Sequence, residues 1–222
     1  MANQATNRLR VEGFNADEVR LLMEVDKRHE ENGDWYFSFE SIIPMPQILD
    51  ETYDGDLGQL HIADLGLAVL GSQKHFEEAI NDWELRCELG ESFTLEPLRG
   101  YVKNNHPNAI KLALESQRNF DETGFYNGYE WSLSQWGTRL GGYEYERLES
   151  SNNVYDCYFE SAWTPAVPVI VALSQRFQHL RFRYYYLEEG VGIEGAFCYV
   201  DGGQNEDADW LEYGHRIYAD ND

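Results

Sequence analysis

Apolar residues in this chain recur first at every second position, then at helical spacing through a long middle stretch, then at every second position again. Arg8-Leu9-Arg10-Val11-Glu12-Gly13 alternates polar with apolar and stops at a glycine, the pattern of a short strand. Asn15 is placed to cap a helix, with Asp17 and Glu18 in its first turn and Val19, Leu22, Met23 and Val25 as its stripe out to about Glu31. Asn32-Gly33-Asp34 breaks that helix. The run Trp35–Ile43 then predicts a second strand, closed by Pro44 and Pro46, which favour extended backbone before them. Residues 8–43 therefore read as β-α-β.

From 44 to 135 the period is helical. Phe76, Ile80, Trp83 and Cys87 share one face; Ala63–Leu70 is apolar but short. Ser92 is a possible cap, His106-Pro107 opens a helix through Ile110, Leu112, Leu114 and Gln117, and Tyr129–Gln135 forms a last short helix. Val154–Trp163 returns to strand composition. Pro165 and Pro168 suit the first turn of a helix whose buried face is Val167, Ile170, Val171, Leu173, Ser174 and Phe177. Phe182, Tyr184 and Tyr186 then point to one side of a strand, and Arg181, Arg183 and Tyr185 to the other. Glu188-Glu189-Gly190 turns that strand into Glu194–Val200. The order β-α-β, helices, β-α-β-β predicts an α+β fold: a ferredoxin-like, split β-α-β antiparallel sheet with a large helical insertion. The divisions fall at 1–46, 47–140 and 141–222, the last ending in an acidic tail with Trp210.

Charge narrows the function. There are 17 Lys and Arg against 40 Asp and Glu, a net charge of -23. Nucleic-acid and anionic membrane binding both draw affinity from basic residues, so neither is expected. A basic protein surface would instead be attracted. The three cysteines, Cys87, Cys157 and Cys198, make no disulfide framework and suit a reducing compartment. The first residues hold no apolar run, so no signal peptide is expected, and no segment is long enough to span a bilayer. A cytoplasmic protein follows.

No catalytic, metal or cofactor motif survives inspection. Asp50, Thr52, Asp54, Gly55 and Asp56 begin a calcium loop, but His61 stands where a bidentate acid is needed. A second frame, Asp201, Asn205, Asp207, Asp209 and Glu212, has Glu206 at its obligatory glycine. None of the six histidines stands in zinc spacing, and neither Ser161 nor Ser174 has the context of a hydrolase nucleophile. Gly195-Ala196-Phe197 with Tyr199 faintly matches the aromatic strand of an RNA-recognition motif, yet it follows Glu194 where a basic residue belongs.

Asn7–Gly13, Phe39 with Ile42-Ile43-Pro44-Met45-Pro46, Trp136-Gly137-Thr138-Arg139, Phe159 with Ala162-Trp163-Thr164-Pro165, and the Glu188-Glu189-Gly190 turn together resemble the YubB-like family of uncharacterised plasmid and prophage proteins. The family's second Trp after Trp-Gly-Thr is missing here, where Leu140-Gly141 stands. The resemblance implies a ferredoxin-like C-terminal domain and a mobile-element origin, and no settled activity. Its most distinctive pieces make Trp136, Gly137, Thr138, Arg139, Trp163 and Trp210 the candidate binding residues. Of the two roles open to Trp136 and Trp163, mutual packing that fixes the helical lobe to the sheet is the one expected. A partner's anchor is the other. The expected function is a non-enzymatic interaction module, an inhibitor or nucleic-acid mimic acting on a basic host defence protein. The competing class is an enzyme or small-ligand binder with a pocket between lobe and sheet.

Overall fold

The computed structural model describes residues 3–13, 16–28, 33–50, 57–150, 153–200, 203–207 and 209–212. The chain divides into two compact units, Met1–Pro44 with Ser132–Asp222, and Met45–Trp131.

The first unit is built on a six-stranded antiparallel sheet. Its strands are β1 (Gln4–Glu12), β4 (Gly141–Ser150), β5 (Val154–Ala162), β6 (Arg181–Glu188), β7 (Ile193–Val200) and β8 (Gly203–Glu206), in the order β4-β5-β1-β6-β7-β8. β1 runs antiparallel to both β5 and β6, which therefore run parallel to each other with β1 between them. The helix α9 (Val167–Arg176) crosses from β5 to β6, closing the split β-α-β of a ferredoxin-like sheet. Pro168 sits in the first turn of α9, where its missing N–H costs nothing.

Alternation decides what each face of the sheet buries. Leu9, Val11, Tyr155, Cys157, Phe159, Phe182 and Tyr184 share one face and pack against Val19 and Leu22 of α1 (Ala16–Leu22) and Val169, Ile170 and Leu173 of α9. The other face carries charged residues beside a small apolar cluster at Tyr185, Ala196 and Trp210. Arg8 there makes a two-pronged bond to the buried Asp156 at 3.2 Å on each oxygen, and Arg10 adds a third at 3.0 Å. Asp156 is enclosed by three charge-assisted donors, which offsets the cost of burying it.

The segment predicted as the second strand behaves differently. Only Trp35–Phe37 is extended; this β3 pairs with β2 (Asp26–Arg28) in a separate two-stranded hairpin. The chain then turns, because the N–H groups of Ile42 and Ile43 both return to Phe39 O, at 2.9 and 2.8 Å. The hairpin is held to the sheet by Asp26, whose carboxylate accepts hydrogen bonds from Tyr145 and Tyr155 at 2.7 Å each and from Arg147. The strand at the sheet edge is β4. Its register shifts three times and Glu144 lies at φ 45°, so no period of two marks it in the sequence.

The second unit is helical. It contains α2 (Gln47–Asp50), α3 (Leu57–Leu70), α4 (Gln73–Asn81), α5 (Trp83–Leu89), α6 (Leu95–Asn105), α7 (Ala109–Thr123) and the start of α8 (Gly128–Gln135). Leu65, Ala68, Leu85, Phe93, Leu98 and Val102 form its core. The stripe from Phe76 to Cys87 is two helices, not one. Asp82 ends α4 and caps α5, its Oδ1 accepting the Leu85 N–H at 3.0 Å, and Trp83 is turned out, 74% exposed. The predicted cap Asn15 lies outside the described residues. Among the described residues, no helix is long and apolar enough to cross a membrane.

Gly142 offers a test of how tightly the hairpin is seated. Its φ is +80°, and a Cβ there would lie 1.8 Å from Phe37 O; Gly192 has a similar φ of +69° but open space around it. Gly192→Ala should cost only the left-handed penalty of ~1–2 kcal/mol. Gly142→Ala should cost clearly more, because backbone must move as well. Denaturant melts of the two variants, compared with wild type, check that order.

Candidate functional site

The segments singled out in the sequence meet around one buried side chain, Asn7 of β1. Asn7 occupies an inward position of an otherwise apolar alternation. Its amide nitrogen donates to Ala5 O at 2.8 Å and Ser161 Oγ at 2.9 Å, and its oxygen accepts from the Tyr184 hydroxyl and from the Ala166 N–H at 3.2 Å. The burial that satisfies Asn7 also raises the Tyr184 hydroxyl well above the usual tyrosine range, so that group stays protonated and donates. Ser161 Oγ passes its own proton on to Thr164 O at 2.8 Å.

Two segments interlock above this hub. Thr138, fully buried, donates to Ala162 O at 2.7 Å, and Thr164 donates back to Gly137 O. Gly137 has φ +77°, and a Cβ there would meet Pro168 Cδ at 2.7 Å. Trp136 packs edge-on against Phe39 with ring centres 5.9 Å apart, and its indole N–H donates to Ile43 O at 2.9 Å. Trp136-Gly137-Thr138 and Ala162-Trp163-Thr164-Pro165 thus clamp each other, with Arg139 partly exposed just beyond.

Trp163 is the exception inside this clamp. The packing role expected of it is not what the structure shows: its side chain is 52% exposed, and its φ is +70°. A left-handed conformation costs a large L-residue ~1–2 kcal/mol and persists only where the surroundings over-determine it. Here the Trp163 N–H is held by Asn3 O at 2.9 Å, while Ala162 and Thr164 are fixed by Thr138, Ser161 and Gly137. The result is a tryptophan turned outward on rigid backbone. Other exposed apolar groups lie at the same end of the sheet. Leu140, whose carbonyl accepts the Ala162 N–H, is 47% exposed. Asn3 packs against Gly190 in the β6–β7 turn, where Val191 is 66% and Ile193 40% exposed. That turn is set by buried Glu188, which accepts the N–H of Gly190 at 3.1 Å and of Val191 at 2.7 Å.

Trp210 lies elsewhere. It is buried on the charged face of the sheet, with the Arg8 and Arg183 guanidiniums each 5.7 Å from its ring centre. Asp207 starts its short helix by accepting the Trp210 N–H at 3.0 Å. Phe197 and Tyr199 belong to the core face with Phe182 and Tyr184, so they do not form an open base-stacking platform. Residues 51–56 of the first calcium frame, and 201, 202 and 208 of the second, lie outside the described residues. Among the described residues, no three His, Cys, Asp or Glu side chains are grouped to hold a metal ion.

The helical unit holds a second arrangement that sequence spacing did not reveal. A cleft of about 370 Å³ is lined by His61, Asp64, Leu65, His75, Glu78 and Asp82, among others. His75 is 2% exposed, with Nδ1 2.6 Å from Ser72 Oγ and Nε2 3.7 Å from Asp64 Oδ1. Burial, with Glu130 and Glu78 adding repulsion and Lys74 opposing them, pushes the Asp64 carboxyl up to about 7. Burial, then Lys74, pushes the His75 imidazole down. Asp64 and His75 come from different helices, α3 and α4, and no spacing rule joins them.

Residues 142–222 match a family model described as "Ferredoxin-like domain in Api92-like protein". That is the segment carrying β5, α9, β6 and β7, and the ferredoxin-like C-terminal domain implied by the resemblance is thereby found, under the Api92 name. Across the whole chain, the crystal structure of a protein Api92 from Yersinia pseudotuberculosis is similar with a TM-score of 0.44 and 12% identity, covering 94% of this chain and 99% of that one. No curated protein matches the chain.

Two expectations follow. Asn7→Ala leaves the Tyr184 hydroxyl and the Ala166 N–H short of a buried partner, each at ~1–3 kcal/mol, while Ser161 still donates to Thr164 O, and should lower stability by ~3 kcal/mol or more. Trp163→Ala, at a half-exposed position, should cost no more than about half the ~3–5 kcal/mol of a buried aromatic. Chemical denaturation of both gives the order. The second concerns Asp64. A carboxyl held above its unfolded value of 3.8 binds protons more tightly when folded, so its contribution to stability falls as pH rises from about 4 to about 7. Asp64→Asn removes that loss. Its melting temperature should exceed wild type most clearly at pH 8 and by little near pH 4.

Proposed function

We propose that this protein is a non-enzymatic interaction module that binds a basic protein through the sheet end carrying Trp163. The observation that carries the reading is the outward tryptophan on strained, multiply bonded backbone. Free-energy cost is concentrated there without a gain in core packing, and a partner that buries the ring would supply one. The net charge of -23 adds attraction for a basic surface and speed of association. Mobile-element origin, and action as an inhibitor or nucleic-acid mimic on a host defence protein, extend the proposal on the strength of the sequence resemblance. Nucleic acid itself is not the ligand in this reading. Arg181 and Arg183 are the nearest approach to a basic stripe; Arg183 is already tied to Asp207, and Arg8 and Arg10 on the neighbouring β1 are tied to Asp156.

A second reading, a small-ligand binder, draws support from the cleft at His75 and Asp64, where a raised carboxyl and a lowered imidazole converge.

The interaction reading is tested by affinity capture from host lysate followed by measurement on the purified partner. Binding should weaken steeply between 0.01 and 0.1 M salt, as the Debye length shortens from ~30 to ~10 Å. Trp163→Ala should weaken it further at every salt concentration while leaving the fold intact. An affinity indifferent to both salt and Trp163 would sink the reading.

A further inference from the structure

We infer that a hollow at the outer edge of β7 receives the side chain of an arginine presented by the partner. The inference rests on the reading of that partner as a basic protein, and it names the group the partner offers. β8 pairs with β7 only from Phe197 to Val200, and the Asp207 N–H then closes on Ala196 O at 3.1 Å. Where β8 leaves off, a hollow of about 300 Å³ opens beside Glu194, Gly195 and Ala196. Their neighbour Ile193 is one of the exposed apolar residues at the Trp163 end of the sheet, so the hollow continues that surface.

Asp207 supplies the observation that points to a ligand. It is 9% exposed and lines the hollow, and its two oxygens are treated differently. Oδ1 accepts the Trp210 N–H at 3.0 Å. Oδ2 is buried and makes no hydrogen bond among the described residues. Arg183 Nε lies 3.4 Å from it, near enough for ionic attraction, yet Nε is also buried without a hydrogen bond. The two charges are in contact without being joined, and a buried carboxylate oxygen left in that condition is costly. A donor that enters from the hollow satisfies it.

The rest of the lining selects a guanidinium. Tyr186 and Phe197 form an aromatic wall, with ring centres 6.1 Å apart and planes at 34°. Gly195 permits that wall: a Cβ there would stand 2.4 Å from the Tyr186 hydroxyl, so the ring lies over the strand only because no side chain is present. Ala196 and Leu211 extend the apolar surface, and Glu194 and Glu206 add two carboxylates to that of Asp207. Glu194 is steadied by the Tyr185 hydroxyl, which donates to it at 2.7 Å. No Lys or Arg stands among the described residues that line the hollow. A guanidinium is flat, stacks on aromatic faces and offers carboxylates a fork of donors, which an ammonium does not. Its aliphatic stem suits Ala196 and Leu211. Small-molecule sites begin at ~300 Å³, so this volume fits one side chain better than a cofactor. The protein already uses the same pairing internally, where Arg8 and Arg183 each lie 5.7 Å from the centre of the Trp210 ring.

The test is an NMR titration of the full chain with N-acetyl-arginine amide, read at the ring protons of Tyr186 and Phe197. N-acetyl-citrulline amide, of the same shape without the charge, is one control, and N-acetyl-lysine amide, charged but without the fork, is the other. The probe carries nothing that occupies the Trp163 surface. A failure here therefore strikes the hollow alone, while the partner reading stands or falls on Trp163→Ala. Supporting results are a saturable one-site shift with the arginine probe, weaker binding of the lysine probe and no response to citrulline. Glu206→Gln, at an exposed position, and Phe197→Leu should each weaken the arginine probe by about two- to fivefold. Glu115→Gln, on α7, should leave it unchanged. A non-saturable shift, equal binding of either control, or an affinity untouched by Glu206→Gln would overturn the proposal.

Discussion

The sheet depends on one buried amide. Asn7 stands at an inward position of β1, between Ala5 and Leu9, where alternation would place a hydrocarbon. Each of its polar atoms is used, and its partners come from β5, β6 and the entry to α9. A hydrocarbon there could fill the volume but could not specify which strands lie on either side. The amide specifies them, because only this order brings Ser161, Tyr184 and Ala166 to it together. The interlocked Trp136-Gly137-Thr138 and Ala162–Pro165 segments then rest on Ser161 and Thr138, and the backbone of Trp163 rests on them.

Much of this was legible in the sequence, and the exceptions have physical causes. β1, β5, α9, β6 and β7 follow strict period or proline punctuation, and they lie where the pattern placed them. β4 escaped because bulges and a left-handed Glu144 break its period. The run after Trp35 looked like a full strand because Phe37, Phe39, Ile42 and Ile43 are all apolar. Phe39, Ile42 and Ile43 are apolar because they pack on the core from a turn, and a turn needs no alternation. Among candidate residues, the segments around Trp136 and Trp163 do meet in the fold, but their composition could not tell an inward ring from an outward one. That choice is made by φ at Trp163, set by hydrogen bonds from residues far away in the chain. Trp210 read as part of an acidic tail, yet the arginines of β1 and β6 bury it. The Asp64–His75 pair had no sequence signal at all, since helix packing alone brings the two together.

The surface and the interior of this protein treat charge in opposite ways. Over the chain, carboxylates outnumber basic groups, 40 to 17. Inside, Asp26 accepts from β4 and β5 and Asp156 from β1, and they act as fasteners between the hairpin, the edge strand and the centre of the sheet. Three arginines, Arg8, Arg10 and Arg147, serve these fasteners.

The position of β1 has a consequence for how the chain acquires its structure. β1 lies in the middle of the finished sheet and is made well before its neighbours, β5 and β6, which end at Ala162 and Glu188. At ~5–20 residues per second of synthesis, β1 waits about ten seconds or more for them. The helical unit, built from contacts close in sequence, can form during that wait. A strand with both edges unpaired is sticky in the interval. The charges that alternate along it, Arg8, Arg10 and Glu12, keep one of its faces soluble until the partners arrive.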